Sequence, residues 1–263
     1  MNILEQLADY ARYRVKEAEK KIPFSEVRRQ TEQMGSSTGF PFEKAIAAPG
    51  MSLICEVKKA SPSKGLIAKD FPYMEIARSY EVAGASAISC LTEPKWFMGS
   101  DTYLREIAAG VSIPVLRKDF TVDPYMIFEA RVLGASAVLL IAALLDEGEM
   151  REYREIADSV GLSALCEAHD EAEVEKAAAA GARIIGVNNR NLKDFTVDIR
   201  NSVRLREMIP ENVLYVSESG IKTPQDVSVL YHNGTDAVLI GETLMRSPDK
   251  KQTVEWLRKD CHD

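Results

Sequence analysis

From residue 52 onward the chain alternates, eight times over, between a short apolar run and a longer amphipathic stretch. The apolar runs lie near 52 to 58, 86 to 92, 113 to 118, 136 to 141, 162 to 167, 183 to 188, 213 to 218 and 236 to 241. Between and after them, near 72 to 83, 101 to 109, 123 to 133, 146 to 160, 170 to 180, 198 to 208, 224 to 232 and 249 to 259, apolar residues recur at helical spacing. Eight strand-helix units is the repeat count of a (β/α)8 barrel. Four joins share one local pattern, a glycine at a helix end leading into an apolar strand: Gly84-Ala85-Ser86-Ala87-Ile88, Gly134-Ala135-Ser136-Ala137-Val138, Gly181-Ala182-Arg183-Ile184-Ile185 and Gly234-Thr235-Asp236-Ala237-Val238. Glycine suits the left-handed residue that ends a helix. The spacings of 50, 47 and 53 residues match two strand-helix units per repeat. An α/β fold of (β/α)8 barrel type is therefore expected, since an open doubly wound sheet requires no such period and no Gly-x-Gly-x-x-Gly follows the first strand.

Three helices are expected before the first strand. Ile3, Leu7, Ala11 and Val15 mark one over residues 2 to 21, a second follows Pro23 from Phe24 to Met34, and a short third spans 42 to 48. Residues 1 to about 50 thus read as a helical extension covering apolar surface, within a single barrel domain of 263 residues.

The formal net charge of -7 argues against a nucleic-acid or anionic-membrane surface, while leaving room for a small basic pocket that binds a phosphate. The longest apolar stretches, such as 135 to 145, are too short to span a bilayer, and the N-terminus lacks a signal-peptide core, so a cytoplasmic protein is expected. Cys55, Cys90, Cys166 and Cys261 show no Cys-x-x-Cys spacing and read as reduced, buried, small hydrophobes. His169, His232 and His262 are scattered, and no metal is expected.

In a barrel of this type the active site lies where the strands end. The first strand breaks its apolar pattern there: in Ile54-Cys55-Glu56-Val57-Lys58-Lys59-Ala60-Ser61-Pro62-Ser63-Lys64-Gly65, alternation puts Glu56 and Lys58 on one face. A charged pair aimed into a closed interior is costly, which marks it as functional. Similar breaks recur. The third strand ends Leu116-Arg117-Lys118-Asp119-Phe120, the fifth Leu165-Cys166-Glu167-Ala168-His169, the sixth Val187-Asn188-Asn189-Arg190-Asn191-Leu192 and the seventh Val216-Ser217-Glu218-Ser219-Gly220. Lys58, Lys118, Glu56, Glu167 and Glu218 are thus expected to converge with Asn188 and Arg190, whereas His169 lies one step beyond its strand and does not join them. The fourth strand stays apolar through Leu139 and Ile141 and suits the wall of a flat ring. Ser219-Gly220 and Gly241-Glu242 put small residues where backbone N–H groups meet an anion, with Ser61 and Lys64 bordering the same region.

These motifs resemble indole-3-glycerol-phosphate synthases, the barrel enzymes of tryptophan biosynthesis. The likeness is carried by the Ile54 to Ser63 segment and by five further stretches in the same order: Thr92-Glu93-Pro94-Lys95-Trp96-Phe97-Met98-Gly99-Ser100, Leu116 to Phe120, Ile185 to Leu192, Ser217 to Ile221 and Leu239 to Met245. Ala168, Asn191 and Glu242 depart from the family pattern, where Val, Asp and Ser are common. The resemblance implies a carboxy-lyase that closes the ring of 1-(2-carboxyphenylamino)-1-deoxyribulose 5-phosphate, releases carbon dioxide and water, and needs no cofactor. It implies Lys118 as general acid in ring closure, Glu167 as general base and Lys58 as acid in dehydration, with Glu56 and Asn188 orienting them and Glu218 bordering the site. Arg190 would take the anthranilate carboxylate, and Trp96 or Phe97, Phe120, Leu139 and Ile141 the ring. Ser61, Ser219, Gly220, Gly241 and Glu242 would hold the phosphate, Glu242 through its backbone. The partner expected is this phosphorylated small molecule, bound by a monomer. The residues alone also admit a phosphoribosyl aminoaldose isomerase, a noncatalytic sugar-phosphate sensor, or a Schiff-base lysine.

Overall fold

A computed structural model of the chain describes residues 3–191 and 194–261. Leu192, which ends the sixth strand motif, and His262 lie outside the described residues. Eight strands form a closed parallel barrel: β1 (Ser52–Val57), β2 (Ala87–Leu91), β3 (Val115–Lys118), β4 (Ala137–Ile141), β5 (Ser163–Ala168), β6 (Ile184–Asn188), β7 (Leu214–Glu218) and β8 (Ala237–Ile240). Each pairs with its neighbour in sequence, and β8 closes on β1 with Ser52 opposite Ala237. The expected barrel is present, with every strand end within two residues of its predicted position.

Helices α1 (Ile3–Lys21), α2 (Phe24–Met34) and α3 (Pro41–Ile46) precede β1. The strands are joined by α4 (Tyr73–Val82), α5 (Asp101–Gly110), α6 (Pro124–Val132), α7 (Glu147–Ser159), α8 (Glu171–Ala179), α9 (Arg200–Leu205) and α10 (Pro224–His232), and α11 (Glu242–Arg246) and α12 (Lys250–Arg258) follow β8. Local chemistry sets where the helices start and stop. Asp146 and Glu149 exchange side-chain and backbone hydrogen bonds as a capping box at α7, and Thr223 and Asp226 do so at α10. The repeated glycines Gly84, Gly134, Gly181 and Gly234 have φ of 85, 91, 78 and 77°, the left-handed conformation expected from the joins they make. Two small elements escape the periodicity, α11 and a hairpin pairing Ala60–Ser61 with Gly65–Leu66, because each is too short to show one.

Strand alternation divides the core in two. Ile54, Ala87, Leu116, Leu139, Leu165, Ile184, Val216 and Leu239 fill the barrel, whereas Leu53, Ile88, Val115, Leu140, Cys166, Ile185, Tyr215 and Val238 pack outward under the helices. The extension does two jobs. Phe42 and Ile46 of α3 are fully buried against the interior cluster, near the strand starts, and plug the barrel from below. Helix α1 instead reaches the opposite end, where Ile3, Leu4 and Leu7 border the cavity described next. All four cysteines are buried and unpaired. No helix among the described residues is long and apolar enough to cross a membrane.

Candidate active site

The strand ends open into a cavity of about 720 Å³. Register sets its floor, because inward positions that face one another across neighbouring strands lie at a common height: Glu56 opposite Ser89, Leu91 opposite Lys118, Ile141 opposite Glu167, and Asn188 opposite Glu218. Lys58 lies two residues beyond Glu56, so it points the same way. Sixteen of the residues predicted for the site line this cavity, Glu56, Lys58, Ser61, Phe97, Lys118, Phe120, Leu139, Ile141, Glu167, Asn188, Arg190, Glu218, Ser219, Gly220, Gly241 and Glu242, and Lys64 borders it as well.

Two ion pairs occupy the floor. Lys118 Nζ donates to Glu167 Oε2 at 2.9 Å and lies 3.2 Å from Glu218 Oε2. Burial alone disfavours the ammonium, but the carboxylates of Glu167, Glu218 and Glu56 outweigh it and hold Lys118 well above the ordinary lysine range. Lys118 is therefore a protonated donor at neutral pH. One ammonium cannot neutralise two carboxylates, and they divide. Burial pushes Glu167 up, yet Lys118, His169 and the Asn188 amide pull it below the usual range. Burial also pushes Glu218 up, and Lys118 offsets it only in part while the charge of Glu167 adds to it, so its carboxyl is raised. Glu218 Oε1 is buried and has no hydrogen-bond partner. It sits over Gly186, where a Cβ would lie 2.4 Å from that oxygen, so a glycine is required on β6 at this height.

The second pair is Lys58 with Glu56, in direct contact, with Ser89 Oγ donating to Glu56 Oε2 at 3.5 Å. It packs over Gly241, where a Cβ would lie 2.4 Å from Glu56 Oε1 and 2.8 Å from Lys58 Nζ. Both buried charges thus meet an opposite charge on the floor of one cavity, the condition under which such burial is tolerated.

The two halves of the rim differ in character. On the side of β2, β3 and β4 the walls are Phe97, Phe120, Leu139 and Ile141, the two rings tilted at 42° with centroids 6.0 Å apart. Of the two aromatic candidates after β2, Phe97 faces the cavity, whereas Trp96 turns outward onto Tyr10 of α1 with ring centroids 5.6 Å apart. Buried Glu93 sets this arrangement, its carboxylate accepting from the backbone N–H groups of Lys95, Trp96 and Phe97 at 2.9, 2.7 and 2.9 Å. On the side of β1, β7 and β8 the rim carries Ser61, Lys64, Ser219, Gly220, Lys222, Glu242 and Arg246. Ser219 and Gly220 are both left-handed, with φ of 69 and 86°, and a Cβ on Gly220 would strike Val197 at 2.5 Å. A serine held in the left-handed region is strained, a feature that concentrates at functional sites. Glu242 lies 3.1 Å from Arg246 and 3.7 Å from Lys64; partial burial raises its carboxyl, but these cations lower it overall.

Between the halves stands Arg190, whose backbone N–H donates to Asn188 Oδ1 at 3.0 Å and whose Nη1 donates to the Phe195 carbonyl at 3.3 Å. Cavity residues not anticipated include Ile3, Leu4 and Leu7 of α1, Phe195, Val197 and Ile199 after β6, and Lys222 and Arg246. The helical pattern of α1 marks Leu7 as buried without saying against what. A tether explains its placement: Arg14 donates to both oxygens of buried Asp119, at 3.0 and 2.6 Å, and Asp119 follows Lys118 directly.

A protonated lysine between two carboxylates, a second lysine-carboxylate pair, an aromatic wall and a cationic rim make a site for a planar, anionic substrate undergoing acid-base chemistry. The family model described as indole-3-glycerol phosphate synthase matches residues 4–257. A protein of that name from Ruminiclostridium cellulolyticum is 56% identical over 256 residues, covering 97% of this chain and 98% of that protein. One from Lacticaseibacillus casei is 49% identical over 252 residues, covering 96% and 97%. In fold alone the chain is also similar to the thiamine phosphate pyrophosphorylase of Pyrococcus furiosus, with a TM-score of 0.60 and 17% identity over 80% of this chain and 94% of that one. The match over nearly the whole length, together with a site whose lysines and carboxylates meet in one cavity, makes this chain a member of the indole-3-glycerol phosphate synthase family.

Proposed function

We propose that this chain converts 1-(2-carboxyphenylamino)-1-deoxyribulose 5-phosphate into indole-3-glycerol phosphate, carbon dioxide and water, with the residues of the cavity in the following roles. The ring carbon bearing the carboxylate attacks the ribulose C2 carbonyl while Lys118 gives its proton to the carbonyl oxygen. Loss of carbon dioxide restores aromaticity. Lys58 then protonates the departing C2 hydroxyl, and Glu167 takes up the proton that the ring-closed intermediate must lose. Glu56 and Asn188 orient Lys58 and Glu167, and Glu218 helps hold Lys118 charged. Arg190 binds the anthranilate carboxylate with its planar donor fork. Phe97, Phe120, Leu139 and Ile141 enclose the ring. Ser61, Ser219, Gly220, Gly241 and the Glu242 backbone hold the phosphate, assisted by Lys64, Lys222 and Arg246.

One observation carries this reading: the Lys118 ammonium lies within 3.2 Å of both Glu167 and Glu218, on the floor of the cavity that Lys58 also enters. A donor held charged beside a carbonyl oxygen stabilises the negative charge that develops on it. Four unpaired buried cysteines fit a reducing compartment. The test is Lys118→Met, followed by indole fluorescence. Turnover is expected to fall by about 10²–10⁴-fold, while the substrate analogue with its carbonyl reduced to an alcohol still binds. Turnover within tenfold of the parent, or capture of the substrate on lysine by borohydride, would refute the acid role.

A further inference from the structure

We propose that His169 is a positioning residue for Glu167: its imidazole, pinned by Glu173, holds the Oε1 edge of that carboxylate while Lys118 holds Oε2. The proposal rests on the reading of Glu167 as the base. His169 follows the last residue of β5, and Glu173 lies in the first turn of α8. A single Glu173 oxygen, Oε2, accepts from the His169 backbone N–H at 2.9 Å and meets His169 Nδ1 at 2.9 Å. Because Nδ1 faces a carboxylate it carries a proton, and Nε2 is then the nitrogen whose state is free to change.

Nε2 points at the site from behind. It lies 3.5 Å from Glu167 Oε1, is buried, and has no hydrogen-bond partner. The Glu173 bond would satisfy a histidine serving only to cap the strand end; a second nitrogen, buried and turned to the reacting carboxylate, is what such a role leaves unexplained. His169 does not line the cavity, so it acts on substrate only through Glu167. Protonated, Nε2–H closes on Oε1 and both oxygens of Glu167 are held, one by each cation. Neutral, a nitrogen lone pair faces an oxygen lone pair and Glu167 is free to turn away.

The charges around His169 favour the protonated form. Glu167 of β5, Glu173 of α8 and Glu218 of β7 all draw it upward, and they outweigh the cost of burial. Lys118 of β3 lies on the far, Oε2 side of Glu167. Helix α9 adds the Asn201 amide, which donates to the His169 carbonyl at 3.0 Å, while its Arg200 and Arg204 are exposed and paired with Asp198 and Glu171. Asp170, the N-cap of α8, accepts from the Glu173 backbone.

The experiment is the pH dependence of kcat and KM for the parent, His169→Gln, Glu173→Gln and Glu167→Gln. In the parent, kcat should fall on an alkaline limb as His169 loses its proton. Glu173→Gln keeps the hydrogen bond but not the charge, and should move that limb to lower pH by about one unit. His169→Gln should abolish the limb and lower kcat at neutral pH by about tenfold, with KM within twofold. A limb unmoved in Glu173→Gln overturns the proposal even where His169→Gln fails to fold, as does an effect confined to KM. Glu167→Gln separates the two levels: if it retains turnover the base assignment falls, whereas if it is inactive and the histidine variants behave as the parent, only the positioning role falls.

Discussion

Glu218→Gln tests the electrostatic account of the site most directly, because it is expected to make the protein more stable and less active at once. Glu218 is 2% exposed, shares Lys118 with Glu167, and leaves Oε1 without a partner. Its carboxyl is pushed up from 4.5 to about 7, chiefly by burial. An acid whose folded pKa lies above its unfolded value binds more protons when folded between those two values. Stability is therefore lost as pH rises from about 4 to about 7 and stays lost above that range. At about 1.4 kcal/mol per pKa unit, the cost in the parent at pH 8 reaches about 3 kcal/mol. A neutral amide of the same shape carries no such cost. For a chain of this length, thermal unfolding at pH 8 should then show the variant more stable by about 5–10 °C, with the gap closing below about pH 4. Turnover should fall, since Lys118 loses one of the carboxylates that hold its proton. A variant less stable than the parent at pH 8, or a stability difference independent of pH, would refute the reasoning.

Two further outcomes follow from the geometry. Gly241→Ala places a Cβ 2.4 Å from Glu56 Oε1 and 2.8 Å from Lys58 Nζ. It should cost about 1–3 kcal/mol in urea unfolding and lower kcat more than it raises KM, because the displaced groups are Lys58, the acid proposed for dehydration, and Glu56, proposed to orient it, while the backbone N–H groups of the phosphate rim are kept. Arg14→Met leaves buried Asp119 without its bidentate partner and should cost about 3–5 kcal/mol near neutral pH. Burial raises the Asp119 carboxyl but Arg14, Arg117 and Thr92 lower it overall, so the stability it contributes is present above the ordinary aspartate range and lost in acid. The penalty should accordingly shrink below about pH 4, which unfolding at two pH values measures, and a penalty constant with pH would count against the tether.

Much of this architecture is legible in the amino-acid sequence. Period-two and period-3.6 hydrophobicity located eight strands and their helices, and charges closing β1, β3, β5 and β7 stood out because a buried strand should have continued with apolar residues. Side-chain alternation then brought Glu56 and Lys58 to one face, where the structure has them in contact. What stayed hidden lacked a local signature. Arg246 and the hairpin at Ala60–Ser61 sit in segments of a few residues, too short to have a period. The Arg14–Asp119 tether spans 105 residues of sequence, and helical spacing says that α1 has a buried face without naming what covers it.

The amino-acid order by itself determined the barrel and the residues that would gather at its mouth, because strand and helix periods, glycine joins and inward-facing charges are properties of neighbours along the chain. Tertiary structure alone decided how the charges are shared. That Lys118 bridges Glu167 and Glu218, that one carboxyl is lowered and the other raised, and that His169 stands behind the first follow from register across a closed sheet. Electrostatic energy falls with distance and rises with burial, and neither quantity exists until the strands have closed.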